Sequence, residues 1–313
     1  MRILITPAEA CHVWDRVKAE LGGDFDPILT HGQVDDPERL SDLLGGADAA
    51  ILGLERVADS VLGPSPRVRI ISRFGVGYDA IDLEALKKRG IRLTNTPGCM
   101  THAVARQTIA FLLAITFNLI EHNRRLKRGE WVRTPNGSCS ETTLGIVGMG
   151  AVGREVAHLA RVLGFNVAAF SRSHALCEGV LASESLKELI QWSDVVSLHV
   201  ALTPETHEMI SGEVIDWLSG KSLINTARGG LVAERQILEA LTEGHLRYYA
   251  TDVFAVEPVA GISRELVLHE RVICTPHVGA MDRATARLML RQAVSNAVNC
   301  LAGCDDGVNA YVL

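Results

Sequence analysis

The chain has 313 residues, 47% of them hydrophobic, with 31 Lys and Arg against 37 Asp and Glu for a formal net charge of −6. That length suffices for two domains of ordinary size and the apolar share for packed cores, while the acidic balance excludes the basic field that nucleic-acid binding requires. The opening Met1-Arg2-Ile3-Leu4-Ile5-Thr6 reads as a strand rather than a signal peptide, and the apolar stretch 108–120 as a buried helix too short to cross a membrane.

Residues 1–97 carry one α/β pattern. Short strand-like runs fall at 2–6, 27–30, 49–52, 68–72 and 91–94, with helical patterns between them, notably at 37–44 and 83–89. Short apolar strands alternating with helices predict a parallel sheet. Asp79 and Asp82 read as turn and helix-cap residues. The turn Asn95-Thr96-Pro97-Gly98 punctuates the chain strongly; one long helix over 101–128 is expected after it, then a polar loop over 131–142. Seven cysteines (Cys11, Cys99, Cys139, Cys177, Cys274, Cys300, Cys304) are scattered without Cys-x-x-Cys spacing, which suits free thiols in a reducing cytoplasm.

From Leu144 the pattern starts again. Strands are expected at 144–147, 166–170, 194–198, 222–225, 249–253 and 272–274, and helices at 152–163, 184–190, 206–216, 231–242 and 283–300. The fold class is therefore α/β, with two Rossmann-like doubly wound parallel-sheet domains. The last helix is placed to cross back, giving a first domain of 1–97 plus 284–313 around a second of 98–283.

The first strand of the second domain runs into Gly148-Met149-Gly150-Ala151-Val152-Gly153 and then a helical pattern. This is GxGxxG in the context its mechanism demands. Gly148 permits the tight turn, Gly150 lets backbone approach a pyrophosphate, and Gly153 lets the helix pack on the sheet. The helix start at Ala151 and Val152 offers unpaired N–H groups to the phosphates. The expected activity is hydride transfer with a bound dinucleotide.

The second strand of such a site usually ends in Asp or Glu for the ribose 2′-hydroxyl. Here it runs into Ser171-Arg172-Ser173 with no carboxylate. Arg172 suits a 2′-phosphate by charge and the serines by hydrogen bonding, although an arginine in a surface turn is also common. NADP is therefore favoured, with NAD possible.

Three polar motifs fall at predicted strand ends, where open α/β sheets bind ligands: Asn225-Thr226-Ala227-Arg228-Gly229-Gly230, Asp252-Val253-Phe254-Ala255-Val256-Glu257-Pro258 and Thr275-Pro276-His277-Val278-Gly279. An arginine can grip a carboxylate bidentately and polarise a neighbouring carbonyl. A histidine can protonate the oxygen as hydride reaches carbon, and a glutamate against the imidazole raises its pKa and fixes its tautomer. Each residue taken alone also fits a capping or loop role.

The chain resembles the D-isomer-specific 2-hydroxyacid dehydrogenase family, which includes phosphoglycerate, glycerate, hydroxypyruvate and glyoxylate enzymes. The resemblance rests on Arg73-Phe74-Gly75-Val76-Gly77-Tyr78-Asp79, Asn95-Thr96-Pro97-Gly98, the glycine motif, His199-Val200-Ala201-Leu202-Thr203 through Thr206, and the three strand-end motifs. It implies that Arg228 binds and polarises the 2-oxo acid. It further implies that Glu257 pairs with His277, the general acid in reduction and base in oxidation. Val76 and Gly77 are expected to offer N–H groups to the substrate carboxylate. Asp252 is expected to hold the nicotinamide carboxamide, and Thr108, Thr226 and Ala227 to lie at the cofactor. The family also implies a homodimer through the cofactor domains and a substrate in the cleft between domains. This chain departs from the family pattern at Arg106, where glutamate is usual, at Ala201 for proline and at Tyr248 for glycine. Arg106 reverses a charge and is expected to reshape recognition, the dimer contact or a salt bridge.

The leading expectation is reduction of a small 2-oxo acid of the glyoxylate or hydroxypyruvate type to its D-2-hydroxy acid. The chain's end at Leu313 leans away from phosphoglycerate enzymes carrying a regulatory domain, although D-3-phosphoglycerate oxidation stays open. Glu257 argues against formate dehydrogenase relatives, which carry glutamine there. Phosphonate- or phosphite-related dehydrogenases, specialised-pathway enzymes and a cofactor-sensing binding protein are the remaining alternatives. No metal, nucleic acid or membrane partner is expected.

Overall fold

The computed structural model describes residues 1–63, 66–172, 177–304 and 312–313. The chain divides into two compact units, Met1–Met100 with Ala280–Leu313, and Thr101–Gly279.

The first unit alternates β1 (Arg2–Ile5), α1 (Ala8–Leu21), β2 (Asp26–Leu29), α2 (Pro37–Gly46), β3 (Ala49–Leu52), α3 (Asp59–Leu62), β4 (Ile70–Arg73), α4 (Leu83–Arg89) and β5 (Arg92–Thr94). The five strands form a parallel sheet in the order β2-β1-β3-β4-β5. Successive side chains point to opposite faces: Ile3, Ile5, Ile51 and Ile70 enter one core, and Leu4, Leu52 and Ile71 the other. Because helices cover both faces, the strands read as continuous apolar runs. Helix α1, which the sequence pattern did not single out, buries Ala10, Cys11, Trp14 and Val17. Asp82 caps α4 by accepting from Ala85 N.

The second unit comprises α5 (Thr101–Thr116), α6 (Leu119–Lys127), β6 (Thr143–Val147), α7 (Ala151–Val162), β7 (Asn166–Phe170), β8 (Leu181–Ala182), α8 (Leu186–Trp192), β9 (Val195–Leu198), α9 (Glu213–Trp217), β10 (Ser222–Asn225), α10 (Glu234–Thr242), β11 (Tyr248–Thr251), α11 (Gly261–Leu268) and β12 (Val272–Cys274). Its parallel sheet has the order β12-β11-β10-β9-β6-β7-β8. The winding reverses between β6 and β9, so the crevice at their carboxyl ends is the topological switch point. The chain then returns to the first unit as α12 (Arg283–Leu301), whose Leu290, Ala293, Val294 and Ala297 share a core with Ile3, Ile5 and Trp14.

Three expected helices differ. The long helix over 101–128 is broken, and α5 and α6 meet at 59°. Asn118 sits at the break with φ 48°, a left-handed conformation that asparagine tolerates, and Arg247 Nη2 donates to its Oδ1 at 2.8 Å. The helix expected over 206–216 begins only at Glu213. Before it, Thr206 Oγ1 donates to Ala201 O and accepts from Thr203 N, a local turn that competes with helix. The helix expected from residue 231 begins at Glu234, after a 3-10 turn over Gly229–Leu231. Helix α11 and the short strand β8 were not anticipated. Among the described residues no single helix is long and apolar enough to cross a membrane.

Candidate active site

The glycine turn lies at the switch point, at the end of β6. Gly148 has φ 98°, and a Cβ there would press on the His199 carbonyl; a Cβ on Gly153 would overlap Gly148 O. Gly150 is different: it faces open space, and it leads into α7 with no side-chain cap. The first turn of α7, from Ala151 and Val152, therefore presents orphan N–H groups beside a cradle that a Cβ on Gly150 would fill. These residues fit the pyrophosphate of a dinucleotide.

Strand β7 delivers Ser171, half-buried, and Arg172, exposed. Ser173 lies outside the described residues. A carboxylate approaches Arg172 from the loop after β9: the Thr203 hydroxyl and its own backbone N–H, with the Arg172 charge behind them, hold Glu205 below the usual carboxylate range. His199, one residue past β9, accepts or donates between Nε2 and Ser197 Oγ at 2.8 Å, and burial pushes its imidazole down to about 4.

Strands β10, β11 and β12 are neighbours, so their carboxyl ends bring the three strand-end motifs to one edge. Arg228 follows β10, half-buried, with Nη1 donating to Ala227 O at 2.7 Å. Asn225 shapes this loop, donating to Arg228 O and accepting from Ala227 N. Gly229 is required for packing, since a Cβ would overlap the Phe254 carbonyl carbon. Glu257 accepts from Phe254 N at 2.8 Å through Oε1 and meets His277 Nδ1 at 2.6 Å through Oε2. Burial raises the Glu257 carboxyl, but the His277 hydrogen bond and charge, Phe254 N–H and the Arg228 charge together hold it below the usual range.

His277 has φ 54°, uncommon outside glycine, and its N–H donates to Asp252 O and Thr275 O. Such a conformation costs about 1–3 kcal/mol and persists only where its surroundings enforce it. With Nδ1 on Glu257, Nε2 makes no hydrogen bond among the described residues. Asp252 is 3% exposed and binds the segment after β12: Oδ1 accepts from Thr275 Oγ1 and Val278 N, and Oδ2 from Gly279 N. A carboxylate has about four acceptor sites, so one remains on Oδ2. Thr108 Oγ1 donates to Val104 O at 2.9 Å and so accepts from Thr226 Oγ1 at 2.8 Å. That contact ties α5 to the end of β10, with Ala227 half-buried beside it.

In the first unit, the segment after β4 carries Val76 and Gly77. Asn95 Nδ2 donates to Val76 O at 2.8 Å and Arg73 Nε to Gly77 O at 3.0 Å. The carbonyls are thus engaged, while the two N–H groups have no acceptor among the described residues. Arg106 is exposed on α5 and makes no ion pair among the described residues, so the rearranged salt bridge finds no partner here.

Sequence reasoning missed Glu234 and the bonding role of Thr275. An acid in a first helical turn looks like an ordinary dipole-compensating charge. Its burial, at 4% exposure, leaves no mark in the sequence.

The family model for the D-isomer specific 2-hydroxyacid dehydrogenase NAD binding domain matches residues 109–279. The glyoxylate reductase of Aeropyrum pernix is 34% identical over 257 residues, covering 78% of this chain and 76% of that protein. The D-3-phosphoglycerate dehydrogenase of Methanocaldococcus jannaschii is 35% identical over 251 residues, covering 78% of this chain and 48% of that protein. Among solved structures, the D-lactate dehydrogenase from Aquifex aeolicus, complexed with NAD and lactic acid, superposes with a TM-score of 0.86 at 26% identity, covering 100% of this chain and 99% of that one. With the glycine turn and the Glu257–His277 contact already in place, these matches show that the chain belongs to the D-isomer specific 2-hydroxyacid dehydrogenase family.

Proposed function

We propose that the protein reduces a small 2-oxo acid of the glyoxylate or hydroxypyruvate type to the D-2-hydroxy acid, with NADP preferred over NAD. The observation that carries this reading is the 2.6 Å contact between Glu257 Oε2 and His277 Nδ1 at the strand edge that also bears Arg228. The guanidinium of Arg228 holds the substrate carboxylate and draws electron density from the adjacent carbonyl. His277 gives the proton on Nε2 to the carbonyl oxygen, and the Glu257 carboxylate stabilises the imidazolium beforehand. In the reverse direction the neutral imidazole takes that proton back. On the first unit, the N–H groups of Val76 and Gly77 are donors of the kind that a carboxylate accepts from. A bound nicotinamide dinucleotide supplies or accepts the hydride. Gly150, Ala151 and Val152 would hold its pyrophosphate, Ser171 and Arg172 its ribose phosphate, and Asp252 its carboxamide, with Thr108, Thr226 and Ala227 alongside.

The glyoxylate reductase relative supports the substrate class, and the Ser171-Arg172 ending without an acid supports NADP. Free thiols at all seven cysteines support a reducing cytoplasm. A homodimer through the second unit is supported by α6, which buries none of its residues yet exposes Leu119, Ile120 and Leu126.

The test is absorbance at 340 nm with NADPH and NADH against glyoxylate, hydroxypyruvate, pyruvate and 2-oxobutyrate, and in reverse with D-3-phosphoglycerate and phosphite. Turnover of glyoxylate or hydroxypyruvate that falls at least about 100-fold in Arg228→Ala and His277→Ala is expected. Turnover of D-3-phosphoglycerate or phosphite alone, or wild-type rates in either variant, overturns the reading.

A further inference from the structure

Glu234 opens α10 and is 4% exposed. A carboxylate so buried is costly unless its oxygens are bonded, and both are. Oε1 accepts from Ala255 N at 2.8 Å and Oε2 from Ser263 Oγ at 2.5 Å. Ala255 and Ser263 flank the turn that carries Glu257, and Ser263 is itself fully buried. The neighbouring N–H, that of Phe254, goes to Glu257 Oε1 at 2.8 Å. Two consecutive backbone donors are thus divided between two carboxylates. From the other side, the Gly229 backbone lies so close to Phe254 that no Cβ would fit.

We propose that Glu234 is a positioning residue for the proton-transfer pair: it engages Ala255 N–H and Ser263 Oγ so that, among the described residues, Glu257 hydrogen-bonds only to Phe254 N–H and His277, with the Arg228 charge facing it. Without Glu234 the Ala255 N–H is free to turn onto the Glu257 carboxylate. A carboxylate accepting one more backbone donor is a weaker partner for an imidazolium. The reduction step needs that imidazolium, so its activity is lost at a lower pH. Displacement of the turn also misaligns His277 Nε2.

This inference rests on Glu257 and His277 acting as the acid–base pair, and the experiment separates the two. The kcat/KM pH profile for 2-oxo acid reduction and the dinucleotide Kd by fluorescence are measured for wild type and for Glu234→Ala, Glu234→Gln, Ser263→Ala and His277→Ala. Glu234→Ala is expected to lose about 10- to 100-fold in kcat/KM. Its alkaline limb moves to lower pH, while dinucleotide Kd stays within about twofold. Glu234→Gln keeps an oxygen for Ala255 N–H and restores most of the activity, and Ser263→Ala leaves the profile in place. If Glu234→Ala does not fold, Glu234→Asp, too short to reach Ala255, is expected to show the same shift. A folded Glu234→Ala or Glu234→Asp with the wild-type profile overturns the proposal, as does a Glu234→Gln that fails as badly as Glu234→Ala. Full activity in His277→Ala would instead overturn the acid–base assignment itself.

Discussion

His277 combines an uncommon backbone conformation, two main-chain bonds to Asp252 and Thr275, and a carboxylate partner on Nδ1. Among the described residues the ring therefore keeps one nitrogen without a partner and is held in one orientation, the preorganisation that the proposed proton donor needs. At the other end of the sheet, Arg172 shares its field with Glu205. Arg172→Ala should weaken NADPH at least about tenfold and leave NADH nearly unchanged, whereas Glu205→Gln should tighten NADPH. Equal losses for the two dinucleotides in a titration would remove Arg172 from the specificity argument. His199 makes a pH prediction. Its folded value of about 4 lies below the ordinary 6.5. Between those pH values the unfolded chain takes up a proton that the folded chain refuses, so stability falls with pH by up to about 3 kcal/mol. Glu257 acts in the same direction, because its depressed carboxyl contributes stability that is lost as pH falls through the folded value. Urea unfolding at pH 7 and pH 5 should show a smaller drop for His199→Gln than for wild type; parallel drops would exclude His199 as the cause.

Within single elements, the strand–turn–helix unit of β6 and α7 assigns separate duties to its glycines. Gly153 has no room for a side chain and Gly150 has open space. Gly153→Ala should lower the melting temperature, since the obstruction is backbone. Gly150→Ala should leave the melting temperature near wild type and raise the dinucleotide Kd about tenfold or more, because the methyl fills only the cradle. A Gly150→Ala protein binding dinucleotide normally would show that the turn does not carry the pyrophosphate. The close backbone packing at Gly148 and Gly153 was legible in the spacing, because GxGxxG encodes local geometry. The break between α5 and α6 was not. Residues 101–128 are helix-compatible throughout, and the side-chain partners of the left-handed Asn118, Pro135 O and Arg247, lie outside that stretch.

For the molecule as a whole, the second unit carries α6 with no buried residue and, just beyond it, Trp131 at 80% exposure. Exposed apolar clusters of this kind commonly mark an association surface. Leu119→Asp combined with Trp131→Asp should convert a dimer into a folded monomer in light scattering. A wild-type protein that is already monomeric at working concentration would sink that expectation. Parallel-sheet architecture was readable throughout, because strands buried on both faces must be continuously apolar and the helices between them amphipathic. Chain order alone therefore specified the doubly wound class, the glycine turn and the motifs at strand ends. Which loops meet depended on sheet order. Placing β10, β11 and β12 side by side brings residues 228, 257 and 277 to one edge, and folding the turn after β11 onto α10 buries Glu234. Those contacts join residues far apart in the chain, and no local pattern encodes them, because burial and hydrogen-bond partners exist only once the layers have packed.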